Sequence, residues 1–293
     1  MSITPKIYIV GTGYLGKAIF DKCNELQLSP ILLHAKDLTG YTSTILKQEL
    51  SITENDILVL ATHPISSKII VNNIHLHDIP SKAIIDCSSQ FRLNPTWYYF
   101  CGHIPCMNNI SKKTQYISQA GCFASGMHLL LEPIVNQVIH SHIHITGITG
   151  YSAGGFEFTS KELKLSAVNR LHSHSIEVSH HLMLDQNIHF MPIISPSDER
   201  GQIVSCILPH DFLSYDEIVH LFQQCYEHSS INLITSDEKL YSSMYVNEHA
   251  NVSDISILIS KKENETQLVA SYDNIHICSE SVMNAISQIL NRK

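Results

Sequence analysis

Cys122 lies in Ser118-Gln119-Ala120-Gly121-Cys122-Phe123-Ala124-Ser125-Gly126, just ahead of an apolar stretch with helical spacing that runs from Gly126 to Val138. A cysteine in the first turn of a helix has its thiolate stabilised by N–H groups that no carbonyl has claimed and by the helix dipole. An ordinary thiol is only about 3% ionised at pH 7. That stabilisation therefore bears directly on whether the sulfur can attack a carbonyl or an acyl phosphate. The other seven cysteines, Cys23, Cys87, Cys101, Cys106, Cys206, Cys225 and Cys278, are scattered and form no CxxC pair. They read as small buried side chains in a protein of a reducing compartment, the cytoplasm.

A nucleophile of this kind needs a proton-transfer partner. Leu171-His172-Ser173-His174-Ser175-Ile176-Glu177 offers two imidazoles and a carboxylate. His172, His174, His180 and His181 lack the regular spacing of metal ligands, and no second Cys or Asp set lies nearby, so no metal is expected. His140, His142 and His144 alternate along an expected strand and would share one solvated face. Single histidines such as His63, His75, His77 and His228 read as surface or satisfied residues.

A third feature is Gly11-Thr12-Gly13-Tyr14-Leu15-Gly16, which matches GxGxxG. It follows the apolar run Lys6–Val10 and opens a helical pattern over Lys17–Leu26, the context this motif requires. Gly11 suits the tight turn, Gly13 lets backbone approach a pyrophosphate, and Gly16 lets helix and strand pack closely. After the next apolar run, Pro30–His34, the chain reads His34-Ala35-Lys36-Asp37. A lysine at that place favours a ribose phosphate, so NADP is expected over NAD, with Asp37 the countervailing acid.

These groups need elements to position them. Asp56–Ala61 and Ala83–Asp86 are further short apolar runs, of the kind buried parallel strands make. Beyond Val138, Ser141–Thr149, Gly201–Leu208, Ser253–Ser260 and Gln267–Ser271 are rich in β-branched residues and predict longer strands of a mixed or antiparallel sheet. Val282–Leu290 has helical spacing. The expected fold class is α/β: a Rossmann-like nucleotide-binding domain over residues 1–121 with 272–293, and an α+β catalytic domain over 122–271.

Composition agrees. The 293 residues are 44% hydrophobic and 16% charged, enough apolar material for a large core. The net charge of −8 argues against a nucleic-acid partner. No apolar run reaches the roughly 18 residues of a membrane span, and the first residues lack the long apolar core of a signal peptide.

Taken together and in order, the motifs resemble the N-acetyl-γ-glutamyl-phosphate reductases, within the aspartate-semialdehyde dehydrogenase-like group. The resemblance covers nearly the whole chain. Besides the glycine loop, Asp86-Cys87-Ser88-Ser89-Gln90-Phe91-Arg92-Leu93 is similar to that family's DxSxDFRL, and Gly121–Ser125 to its PGCYxT. Gly150–Gly155 resembles SGYSGGG, His172–Glu177 stands at HxHxPE, Glu199–Ile203 at the RG strand start, and Tyr272-Asp273-Asn274-Ile275 at IDNL.

The resemblance implies reduction of an acyl phosphate by NADPH through a thioester on Cys122, with His172 as general acid and base. His174, Glu177 and Arg200 would serve the substrate, with Glu177 orienting its surroundings and Arg200 holding an anion. Ser152 and Asn274 would lie near the cofactor. It also implies a homodimer or homotetramer built on the second domain's sheet.

The chain departs from the family pattern at several places. Gln119 and Ala120 replace Asn and Pro, Gln90 replaces an acid, and Ser173 and Phe156 replace cations. Ile176 replaces a proline, and Ile277–Ser281 replaces KGAAG, with Glu280 where a cofactor phosphate would be repelled. These changes keep two other readings in play. One is a reductase of a different acyl phosphate, such as aspartyl phosphate. The other is a catalytically impaired relative with a binding or scaffold role.

Overall fold

The computed structural model describes residues 5–39, 52–138, 140, 142–154, 162–168, 170–185, 188–210, 213–237 and 244–292. Gly155 and Phe156 lie outside them. Packing divides the chain into two units. The first comprises Met1–Gly102, Met107–Gly121 and Cys278–Lys293; the second comprises His103–Cys106 and Cys122–Ile277.

The first unit runs β1 (Ile7–Val10), α1 (Tyr14–Glu25), β2 (Pro30–Leu33), α2 (Ala35–Thr39), β3 (Ile57–Leu60), α3 (Pro64–Leu76), β4 (Ala83–Asp86), β5 (Tyr98–Phe100) and β6 (Tyr116–Gln119). Its six strands lie in the order β2-β1-β3-β4-β6-β5, and every pairing is parallel. Side chains alternate between the faces, and both faces are covered. Ile7, Ile9, Ile57, Val59 and Ile85 join Ile19 and Cys23 of α1 on one side. Val282, Ala285, Ile286 and Ile289 of the last helix pack into that same core. Tyr8, Val10, Leu58 and Leu60 join Ile70 and Ile74 of α3 on the other side.

The second unit holds α4 (Cys122–Leu131), α5 (Val135–Val138), β7 (His144–Gly150), β8 (Lys164–Leu165), α6 (Ser173–His181), β9 (His189–Ser195), β10 (Gln202–Pro209), α7 (Tyr215–Tyr226), β11 (Asn232–Asp237), β12 (Ser256–Lys261) and β13 (Glu265–Tyr272). α8 (His276–Leu290) starts here. The seven strands form a mixed sheet in the order β11-β12-β13-β10-β7-β9-β8. Gln202, Val204, Cys206 and Leu208 of β10 are buried on the face that α4 covers. The opposite face shows Ile207 and Met191, 51% and 45% exposed, with His144 and His189 beside them.

Several expectations need correction. The helix expected from Gly126 to Val138 is broken, with a 3₁₀ turn over Glu132–Ile134 between α4 and α5. Pro133 has no N–H to give and disfavours helical backbone at Glu132. Of the alternating histidines, only His144 is in a strand, because β7 begins there; His140 instead pairs with Asp185 at 2.5 Å. The later boundary between units falls at Cys278 rather than at residue 272. Residues 272–277 stay with the second unit because Asp273 and Asn274 are bonded to loops of that unit. Among the described residues, no helix is long and apolar enough to cross a membrane.

Gly11 has φ of +118°, and a Cβ there would meet the Ala61 carbonyl oxygen at 2.1 Å. We expect Gly11→Ala to cost about 3 kcal/mol, combining backbone strain with a clash against β-sheet backbone. Urea denaturation of both proteins measures this.

Candidate active site

In the first unit the glycine loop leaves the C-terminal end of β1, which lies between β2 and β3. The crevice at such a reversal of strand order is where open parallel sheets take ligands. The loop is held by Gly11 N–H to the Leu33 carbonyl and Ala61 N–H to the Val10 carbonyl, both 2.8 Å. Gly16 is buried, and a Cβ there would meet the Gly11 carbonyl oxygen. Thr12, Gly13, Tyr14 and Leu15 are partly exposed. Gly13 caps α1 with extended backbone, no side chain bonds to the helix start, and no acid lies in the first turn. That start suits the pyrophosphate of a dinucleotide. At the end of β2, His34 Nδ1 meets Thr12 Oγ1 at 3.2 Å, and Lys36 is exposed in the following helix.

The altered residues after Asn274 have partners of their own. Glu280 is ion-paired to Lys22 of α1, which offsets its charge. The Ser281 hydroxyl accepts from Gly102 N–H at 2.7 Å and donates to Gln119 Oε1 at 3.0 Å.

In the second unit Cys122 is the first residue of α4 and is partly exposed. Its neighbour Phe123 meets the rings of His172 and His174 edge-on, at 6.4 and 6.0 Å between centroids. The two imidazoles are 4.8 Å apart. His172 caps α6, and its Nδ1 accepts from the His174 backbone N–H at 3.2 Å. That bond leaves the neutral ring with its proton on Nε2, as a donor. Glu177 is buried on the same helix. The structure thus brings together the helix start that carries Cys122 and the helix start that carries both histidines.

Other expected residues turn out to be occupied with one another. Arg200 donates from one terminal nitrogen to Asp273 Oδ1 at 2.7 Å and from the other to Asn251 Oδ1 at 2.8 Å. Asn274 donates to Ser152 Oγ at 2.9 Å and accepts from Gly201 N–H at 3.0 Å; Ser152 and Asn274 are both buried. These bonds lock the turns that follow β7 and β13.

A residue that sequence reasoning missed is Arg170. It lines a cleft of about 530 Å³ with His172, Ser175, His144, His189 and Phe190. Its place two residues before His172 was the available signal.

No disulfide joins the eight cysteines. Burial pushes Cys23 up to about 11 and Cys206 up to about 12, and it raises Cys87 and Cys225 as well. Cys106 is exposed on the surface, yet burial of its sulfur and a 2.7 Å bond to Glu132 push it up to about 12. Among the described residues, no group of three or more His, Cys, Asp or Glu side chains could hold a metal ion.

Comparison with known proteins places this geometry. The family model for the semialdehyde dehydrogenase dimerisation domain matches residues 122–274. The N-acetyl-gamma-glutamyl-phosphate reductase of Karelsulcia muelleri (strain GWSS) is 26% identical over 251 residues, covering 79% of this chain and 75% of that protein. The mitochondrial bifunctional protein argC of Dictyostelium discoideum is 27% identical over 164 residues, covering 54% of this chain and only 19% of that protein's length. A probable aspartate-semialdehyde dehydrogenase from Pseudomonas aeruginosa has the same fold, with a TM-score of 0.71 at 12% identity over 99% of this chain and 100% of that one. The family match begins at the cysteine that opens α4 and spans more than half of the sequence, and the chain belongs to the semialdehyde dehydrogenase family.

Proposed function

We propose that this protein is an NADPH-dependent N-acetyl-γ-glutamyl-phosphate reductase of arginine biosynthesis, working through a thioester on Cys122. The observation that carries the reading is the placement of Cys122 at a helix start whose next residue, Phe123, packs against His172 and His174. The reductases among its relatives support the substrate class.

In this reading the Cys122 thiolate attacks the acyl carbon and phosphate departs. The nicotinamide, when bound, supplies hydride to the thioester carbon. The His172 Nε2–H bonds the developing oxyanion, and the proton that the departing phosphate takes up comes from solvent. Collapse of the adduct releases the aldehyde and restores the thiolate. The glycine loop of Gly11–Gly16 holds the pyrophosphate, and Lys36 the ribose phosphate. Arg170, beside His172 in the cleft, is the guanidinium we assign to the substrate's carboxylate, since Arg200 is already bonded to Asp273 and Asn251. Eight cysteines with no disulfide among them fit a reducing compartment such as the cytoplasm. The sheet face bearing Ile207 and Met191 is where a second copy would dock, consistent with the matched dimerisation domain.

Four outcomes test this. Purified protein given NADP⁺, phosphate and N-acetylglutamate semialdehyde should form NADPH, and aspartate semialdehyde should serve far less well. Cys122→Ser should lose nearly all turnover, and His172→Ala should slow it by ~10²–10⁴ while NADPH still binds. A larger loss in His174→Ala than in His172→Ala would move the acid/base role to His174. No turnover with either semialdehyde would favour the scaffold reading.

Iodoacetamide at pH 7.5 should label Cys122 first. Cys106 should lag despite its exposure, because a thiol titrating near 12 stays protonated there. Mass spectrometry of the labelled peptides gives the order.

Lys36→Glu should weaken NADPH binding by at least tenfold more than NADH binding, since it sets a carboxylate against the phosphate. Fluorescence titration with each cofactor reads this.

Ile207→Glu should dissociate the oligomer by placing a charge in a desolvated sheet face, with sedimentation velocity as the measure.

A further inference from the structure

We infer that Tyr272 is a positioning residue for the nucleophile, acting through the backbone carbonyl of Cys122 with Gln202 behind it. The inference rests on the thioester role of Cys122. Tyr272 ends β13 and is fully buried. Its hydroxyl donates to the Cys122 carbonyl at 2.9 Å and accepts from Gln202 Nε2 at 2.5 Å. Gln202, at the start of β10, is also fully buried, and its Oε1 has no hydrogen-bond partner among the described residues. That amide is therefore oriented through the phenol.

The fit requires a third residue. A Cβ at Gly126 would lie 2.1 Å from the Tyr272 hydroxyl oxygen and 2.7 Å from Val204. Glycine at that position in α4 is what lets a phenol from the sheet reach into the first turn. In an α-helix the carbonyl of residue 122 is the acceptor for the N–H of residue 126. Tyr272 adds a second donor to the same oxygen.

The consequence is electrostatic as well as steric. The Cys122–Phe123 peptide has its carbonyl bonded twice, and its N–H is one of the first-turn donors with no intrahelical acceptor. Hydrogen bonding at one end of a peptide polarises the other end. The donor field at the helix start that favours a thiolate on Cys122 is strengthened, and the first turn is pinned to two strands of the sheet. Tyr272 stands where the resembled motif carries isoleucine, so the hydroxyl is this chain's own feature.

Tyr272→Phe removes the hydroxyl and keeps the ring. It also leaves the Gln202 amide unpartnered, so Tyr272→Phe with Gln202→Leu is made beside it to remove that buried polar group. The readout is the rate of iodoacetamide alkylation at Cys122 against pH, by mass spectrometry, with buried Cys206 as the internal check that each protein is folded. We expect both variants to alkylate Cys122 about tenfold more slowly at pH 7.5, the factor one ordinary hydrogen bond carries, with the pH profile moved upward. Melting temperature should fall in the single variant and recover in the double one. Wild-type alkylation in the double variant would overturn the inference, since only packing would then have been at stake. So would a wild-type profile in the single variant. Alkylation needs no substrate, so this result is separate from failure of the acetylglutamyl assay. Where that assay succeeds, kcat should fall about tenfold with KM for the acyl phosphate unchanged.

Discussion

The second unit turns on a buried carboxylate. Asp273 has no solvent exposure and accepts four hydrogen bonds. Oδ1 takes Arg200 and the backbone N–H groups of Ile275 and His276; Oδ2 takes the N–H of Asn251. A carboxylate out of water is tolerated only when it is paired and fully bonded. Here the partners come from the approach to β10, from the loop before β12 and from the start of α8. The next residue, Asn274, adds Gly201 and Ser152. The ends of β7, β10 and β13 are thus tied to one two-residue stretch, and β10 and β13 are the strands on which α4 and Cys122 rest.

The departures from the family's pattern have an internal logic. Gln119 and Ser281 replace smaller or glycine positions, and they bond to each other while the Ser281 hydroxyl also takes the Gly102 N–H. Glu280 brings a negative charge into a region expected to face phosphates, and Lys22 neutralises it. Gln202 and Tyr272 form a third such pair, with Gly126 supplying the space. In each case a new polar group found a partner inside the same unit, as a buried polar group must. Such coupled changes preserve a scaffold while altering what surrounds its chemistry.

The thiols show how environment sorts chemically identical groups. Burial alone keeps Cys23 and Cys206 protonated, while Cys106 is held by burial of its sulfur together with the hydrogen bond and charge of Glu132. Cys122 differs from these three in standing at the amino end of a helix with part of its surface in solvent. Exposure without a favourable field leaves a thiol inert, and Cys106 is the example in this chain.

Local signals were legible in the sequence. The glycine loop after β1 and the helix opened by Cys122 are written in neighbouring residues, because turns, caps and helix starts depend on the backbone over a few positions. Of the six parallel strands of the first unit, β1 to β4 were legible as short apolar runs, and β5 and β6 were passed over. β9 was not legible either, because His189 and Pro192 interrupt its pattern, and the break at Pro133 was overridden by the apolar run around it. The partners of the charged and polar site residues were beyond reach. Arg200 finds Asp273 at a separation of 73 residues, Tyr272 finds Cys122 at 150, and Ser281 finds Gln119 at 162. Sequence alone singled out most of the groups proposed to carry the chemistry, since residue type and local spacing are enough to pick them out. Which of them are spent on one another was decided only by the tertiary structure, because a hydrogen bond depends on distances that only folding sets.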